Sequence, residues 1–272
     1  MVRKIFAALV VPAMATAATA SQPAYRPVPI PGVRHYTYQV IQTINGTTHK
    51  GYRTLFDIES KGGELFAIVR STSELDADSW KPVAPEPACR KAMDGGTDSI
   101  ARVKLYPLGT NARDLGASFL DLCAPPAVFF PLTDILNAVI IPLPGSFRAT
   151  ELRKAGDSVS FTGFEAAFDR AGERIREATD GGEVRLAALD DLKAAIEWSP
   201  HRARLTTIDQ TPQGPLTLDG TEAWSFRVEV DPHTGIMARA STTSDELDLK
   251  IVGAPDSVPH VRISRAVTIE RQ

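Results

Sequence analysis

Hydrophobic and polar residues alternate over long stretches of this chain. Tyr36, Tyr38 and Val40 share one side of an extended segment. Tyr52, Thr54, Phe56 and Ile58 share one side of the next, and Leu65, Ala67 and Val69 carry the pattern to about Ser71. A period of two marks strands with one buried face. Asn45-Gly46 separates the first two segments, and both residues tolerate the positive φ of a two-residue hairpin turn. Lys61-Gly62-Gly63 turns the chain again. Residues 34–71 are therefore predicted to form a three-strand antiparallel meander. Asn45-Gly46-Thr47 also spells a glycosylation sequon, but the hairpin turn already accounts for it.

The last third repeats this behaviour. Thr221–Val230 puts Trp224, Phe226, Val228 and Val230 on one face, Asp231-Pro232-His233-Thr234-Gly235 reads as a turn, and Ile236–Thr243 leads back out. Leu247, Leu249 and Ile251 mark a further strand. Val261, Ile263, Val267 and Ile269 close the chain, with a slip of register read near Arg265. With a first strand over His201–Asp209, residues 201–272 form a second meander.

Residues 72–200 look different. Thr162-Gly163-Phe164-Glu165 fits a capping box, and Phe164, Phe168, Ala171, Ile175 and Ala178 follow at helical spacing up to Asp180-Gly181-Gly182. Leu186, Leu189, Leu192 and Ile196 suggest a second helix reaching Trp198 and stopped by Pro200. Strands through Phe161 and through Val184–Leu189 are the competing readings. The expected fold is α+β and mainly antiparallel, one domain over 34–272. Its two β-meanders form a curved sheet or open half-barrel, with the middle helices packed on one face.

The start of the chain reads as an address. Arg3 and Lys4 precede an apolar run from Ile5 to Met14, and Ala18-Thr19-Ala20 is a small-x-small cleavage site. The run is too short to span a bilayer, which takes about 20 residues. Residues 1–20 are thus predicted to be a signal peptide cleaved after Ala20, and a core helix is the alternative. Residues 21–33 carry prolines at 23, 27, 29 and 31 and read as an extended spacer.

Composition adds exclusions. With 43% hydrophobic, 23% charged and 7% aromatic residues, the chain is an ordinary globular one. Its net charge of −3 does not suit a nucleic-acid binder. Cys89 and Cys123 are the only cysteines. Export favours pairing them as one structural staple worth about 3–4 kcal/mol, against two free thiols.

Ala124–Pro144 stands apart. It carries prolines at 125, 126, 131, 142 and 144, and Asp134 is its single charge. Thr133 could cap a short helix from Asp134 to Ile141. Phe129, Phe130, Ile135 and Val139 are among the apolar side chains here that need cover. They either fill the core under the sheet, or form a lid over a ligand cavity or a membrane-touching loop.

Catalytic signals are thin. Gly156-Asp157-Ser158 matches the short nucleophile block of GDSL-type hydrolases. It sits mid-chain, without the late Asp-x-x-His that family pairs with it, and reads as a turn. GxSxG, HExxH, P-loop and dinucleotide patterns are missing. The five histidines lie far apart, so no metal site is predicted. The acid pairs Asp190-Asp191 and Asp245-Glu246 read as solvated turns or helix starts.

The layout is similar, in architecture alone, to exported lipoprotein carriers, a half-barrel with a helical lid. No residue motif supports that likeness, so no functional residue is carried across. The expectation is an exported protein, periplasmic or secreted, without catalysis or cofactor. It would bind a hydrophobic or amphiphilic ligand, or an envelope component, along Phe129, Phe130, Ile135, Val139, Trp224 and Phe226. A lipid or an envelope protein is the expected partner, with no nucleic acid and no transmembrane span. A protein-interaction or scaffold module of the cell envelope is the alternative, and a hydrolase with an unrecognised site comes third.

Overall fold

The computed structural model describes residues 25–28, 30–83, 101–107, 134–135, 138–139, 152–170, 173–200, 203–255 and 257–272. The N-terminal half of the described residues supplies β1 (Gly32–Ile44), β2 (Thr47–Lys61), β3 (Glu64–Asp76), β4 (Ser79–Pro82) and β5 (Ala101–Pro107). The C-terminal half supplies β6 (Ser158–Arg170), β7 (Glu173–Leu189), β8 (Ala194–Pro200), β9 (Ala203–Thr211), β10 (Gly214–Val230), β11 (Met237–Ile251) and β12 (Val261–Arg271). All join one antiparallel sheet in the order β4-β3-β2-β1-β12-β11-β10-β8-β7-β6. The pairing of β1 with β12, Tyr36 opposite Arg271 through Ile44 opposite Ile263, ties the two ends of the chain together. Short strands share a row beside long ones. β10 pairs Phe226–Val230 with β8 and Gly214–Glu222 with β9, while β3 is flanked by both β4 and β5.

The turns follow local chemistry. Asn45 (φ 49°) and Gly46 (φ 81°) supply the two left-handed residues of the β1–β2 hairpin. The Asn45 side-chain oxygen also accepts from the Arg262 amide at 3.0 Å, so this asparagine serves the turn. The 231–235 turn is held by Asp231, whose carboxylate accepts from the amides of His233 (2.8 Å) and Thr234 (3.0 Å).

The α+β expectation is overturned, because Ser158–Arg170, Glu173–Leu189 and Ala194–Pro200 are strands and, among the described residues, neither helix expected between 162 and 200 forms. The helical spacing there was the mirror symmetry of hairpins. Residues equidistant from a turn face each other, so Phe168 pairs with Ile175, Phe164 with Thr179, and Leu186 with Ile196. Projected on the sequence, such pairs and the same-face step of four mimic a helical stripe. Leu192, expected on that stripe, sits at the β7–β8 turn and is 88% exposed. The carboxylate of Asp190 accepts from the amides of Leu192 and Lys193 in the same turn. Gly182 ends no helix. A Cβ there would lie 2.2 Å from the Phe161 ring and 2.4 Å from the Ser199 carbonyl, so glycine lets three strands close up.

One face of the sheet is apolar across nearly all of its width. Tyr36, Tyr38, Phe56, Val69, Leu186, Ile196, Phe226, Val228, Val267 and Ile269 belong to a single buried cluster. Asp134, Ile135, Ala138 and Val139 adopt helical backbone, and Ile135, Ala138 and Val139 join that cluster. The sheet curls around it. Leu65 on β3 and Met237 on β11 are four strand steps apart, about 19 Å on a flat sheet. Both nevertheless line one cavity of about 40 Å³.

Within the stretch expected as a spacer, Tyr25 and Val28 are docked. Tyr25 is buried and its amide donates to the Arg153 carbonyl at 3.0 Å, and the Val28 amide donates to the His233 carbonyl at 2.6 Å. The predicted signal peptide (1–20), Cys89, Cys123, Phe129 and Phe130 lie outside the described residues.

Candidate functional site

The inner, apolar face of the sheet carries a buried charge cluster. β12 alternates without a slip: Val261, Ile263, Arg265, Val267 and Ile269 share the inner side. The register slip read at Arg265 belongs to β11. Ser225 of β10 pairs with Ser244 and Phe226 with Thr242, which leaves Thr243 as an extra, bulged residue. The bulge moves the inner side from Ala240 to Asp245, Leu247 and Leu249, all buried. Asp245 thereby meets Arg265. The two are 3.2 Å apart, and the other guanidinium nitrogen reaches Asp134 at 2.6 Å. Tyr38 donates to the same Asp134 oxygen at 2.7 Å.

Burial pulls the Arg265 guanidinium down, but Asp134, Asp245, Tyr38 and Glu222 carry it above its ordinary value. Burial also pushes the Tyr38 phenol well up, and Asp134 adds to this. Arg265 stays a cation and Tyr38 a neutral donor at any physiological pH. Breaking such a buried arrangement costs about 3–5 kcal/mol, because the carboxylates left behind lose their counter-charge.

This cluster fixes the lone charge of the 124–144 segment to the sheet. Ile135, Ala138 and Val139, spaced i, i+3, i+4 on one helical face, follow Asp134 and are buried at 0%, 0% and 8% exposure. Of the apolar residues anticipated as a ligand wall, Ile135, Val139 and Phe226 thus share the core cluster. Trp224 is half-buried against it, directly opposite Asp245 on β11. An aromatic group surrounds Trp224: the Trp198 ring meets it edge-on at 4.6 Å, and Phe161 meets Trp198 edge-on at 5.8 Å. Sequence reading assigned Trp198 to a helix end and gave Arg265 no role. A charge at an inward position of an otherwise alternating strand was the available signal for Arg265.

Val139 also reaches a cleft at the β10–β11 turn end of the sheet. Ile58, Leu65, Ile236 and Met237 form its other apolar walls, with Ile30 at its edge. Its polar side chains are Arg34, Tyr36, Ser60 and Thr234. The Tyr36 hydroxyl donates to the Met237 carbonyl at 3.0 Å, and burial pushes this phenol up to about 12.

Other candidates resolve into structure. In Gly156-Asp157-Ser158, Asp157 accepts from the amides of Arg153 and Lys154, both at 2.9 Å. Those bonds hold its carboxyl below the usual range. Ser158 opens β6, paired with Arg185. On the outer face His35 and Arg70 both bind buried Asp57, and His260 binds Asp248. Among the described residues no three His, Cys, Asp or Glu side chains converge as a metal site. No described helix is long and apolar enough to cross a membrane.

No family model and no curated protein matches the chain. Three solved structures show a loose likeness. Lipovitellin, in a structure of its lipid–protein interactions, is 11% identical over 91% of this chain, with a TM-score of 0.35. The chain spans 25% of the lipovitellin chain. DynF, from the dynemicin biosynthesis pathway of Micromonospora chersina, is 11% identical, with a TM-score of 0.26, over 93% of this chain and 86% of its own. Salmonella typhi OmpF, in complex with daunomycin, is 6% identical, with a TM-score of 0.19, over 89% and 98%. These TM-scores are too low to mark a common fold.

Proposed function

We propose that this is an exported, non-enzymatic protein that binds a hydrophobic or amphiphilic ligand on the inner face of its curved sheet. One observation carries the reading. The Pro-flanked apolar segment, latched through Asp134 to Arg265, brings Val139 to a cleft whose other walls come from β1, β2 and β3 on one side and from β11 and the turn before it on the other. At about 40 Å³ the cleft is far smaller than a usual small-molecule pocket, but it has the apolar walls and few convergent polar groups of one. Export follows from the signal-like residues 1–20, and a Cys89–Cys123 staple suits that compartment. Organic extraction of the purified protein, followed by mass spectrometry and a fluorescent-lipid uptake assay, tests it. A co-purifying amphiphile or saturable uptake supports the reading, and finding neither contradicts it.

A second reading, an interaction module of the envelope, draws on β6. Among the described residues this 13-residue strand is paired only with β7, and its other edge could take an added strand. Aspartates placed at Ile236 and Met237 distinguish the two, since they abolish amphiphile uptake and leave a β6-mediated contact intact.

A further inference from the structure

The cleft also has a sign. Among the described residues, Arg34 is the only charged side chain that lines it. Its guanidinium donates to three neutral acceptors, the carbonyls of Ile30 (3.0 Å), Pro31 (3.4 Å) and Gly32 (3.3 Å). Those bonds aim the group while leaving its charge unmatched by any described carboxylate. A second cation, Arg271, stands near enough for its field, with that of Arg34, to bear on the Tyr36 phenol. An incoming cation would meet two like charges here, while an incoming anion would meet Arg34 without first breaking an ion pair.

The size limits what enters. About 40 Å³ is far below the roughly 150 Å³ of a cavity that takes benzene. It admits a headgroup and its first carbons, so any longer chain must run outside. An apolar path exists: Ile30, at the edge of the cleft, is 45% exposed, and Val28 is 70% exposed on the same strap, which is bonded to the 231–235 turn. Exposed apolar side chains leading away from a cationic cleft match the shape of a single-chain amphiphile.

We propose that the cleft seats the carboxylate of a fatty-acid-type ligand against Arg34, with its acyl chain leaving along Ile30 and Val28. This rests on the amphiphile-binding reading above and adds the charge and seat of the headgroup. Isothermal titration of the purified chain with dodecanoate, dodecanol and dodecyltrimethylammonium tests it, in the wild type and in Arg34→Gln and Arg34→Lys. Dodecanoate is expected to bind tightest. Arg34→Gln should weaken it about tenfold, the effect of one charge-assisted contact, leave dodecanol unchanged, and be rescued in Arg34→Lys. Equal binding of all three, preference for the cation, or an unchanged dodecanoate affinity in Arg34→Gln overturns the headgroup assignment and leaves amphiphile binding standing. Binding of none of them overturns both. Arg34 is only half-buried, and equal thermal midpoints across the variants exclude misfolding as the cause.

Discussion

Replacing Arg265 with methionine puts the latch to a quantitative test. The substitution keeps an unbranched apolar stem and removes the charge, so packing changes little and electrostatics change much. The guanidinium is bonded to Asp134 at 2.6 Å and Asp245 at 3.2 Å, with those side chains only 13% and 4% exposed. Two carboxylates would then remain buried without their cation, a loss of about 3–5 kcal/mol. For a chain of this size that corresponds to a thermal midpoint lower by about 10 °C. Urea unfolding followed by tryptophan emission measures the first quantity and scanning calorimetry the second. Asp248→Asn is the control: its pairing with His260 is at the surface, with side chains 45% and 50% exposed, and its removal should cost at most about 1 kcal/mol. A double-mutant cycle of Asp134→Asn with Arg265→Met should show coupling of at least about 1 kcal/mol. If Arg265→Met cost no more than Asp248→Asn, the latch would not be a buried, mutually dependent unit, and the argument for it would fail.

Three further outcomes are expected. Gly220→Ala should destabilise by about 3 kcal/mol in urea unfolding, because its Cβ would lie 1.9 Å from the Asp248 carbonyl oxygen on the paired strand. Trp224→Ala should remove the near-ultraviolet dichroism of the edge-on Trp198–Trp224 pair and cost about 2 kcal/mol, while Trp224→Phe should keep most of the stability. Acid should weaken the fold in a defined direction. Asp157, Asp190 and Asp231 lie below the ordinary 3.8, and Glu197 below 4.5. The stability they confer is full above those ordinary values and drains away as pH falls through the lowered ones. Urea midpoints should therefore be flat from neutral pH to about pH 5 and fall below about pH 4.

How much of this could be read from the residues depended on what each pattern encodes. The first meander was legible because period-two alternation and Asn45-Gly46 both specify the same hairpin, and the sheet registers agree, whereas Ile236–Thr243 and the further strand expected at Leu247–Ile251 are one strand, β11, shifted in phase by its bulge. The middle was misread because a step of four satisfies both a helix face and a strand face. Phe164 and Phe168 fit either, and only their hairpin partners Thr179 and Ile175 separate the two. Gly181-Gly182 looked like a stop because sequence does not show that the Phe161 ring and the Ser199 carbonyl need that space. At the candidate site, the apolar character of 124–144 and its lone Asp134 were visible. That Asp134 meets Arg265 depends on a contact across 131 residues, and that Asp245 joins them depends on the bulge at Thr243, neither of which leaves a local trace. Arg34 was silent for a similar reason, since nothing in its neighbourhood in sequence reveals a cleft shared with Val139 and Met237.

The central claim is that an amphiphile occupies the inner-face cleft, and methyl-labelled NMR titration of the purified chain with dodecanoate addresses it most directly. Saturable shifts of the Ile58, Leu65, Val139, Ile236 and Met237 methyls are predicted, with the outer-face methyls of Leu55 and the exposed Leu192 unmoved. Shifts confined to those exposed methyls, or no shift at saturating ligand, would contradict the account.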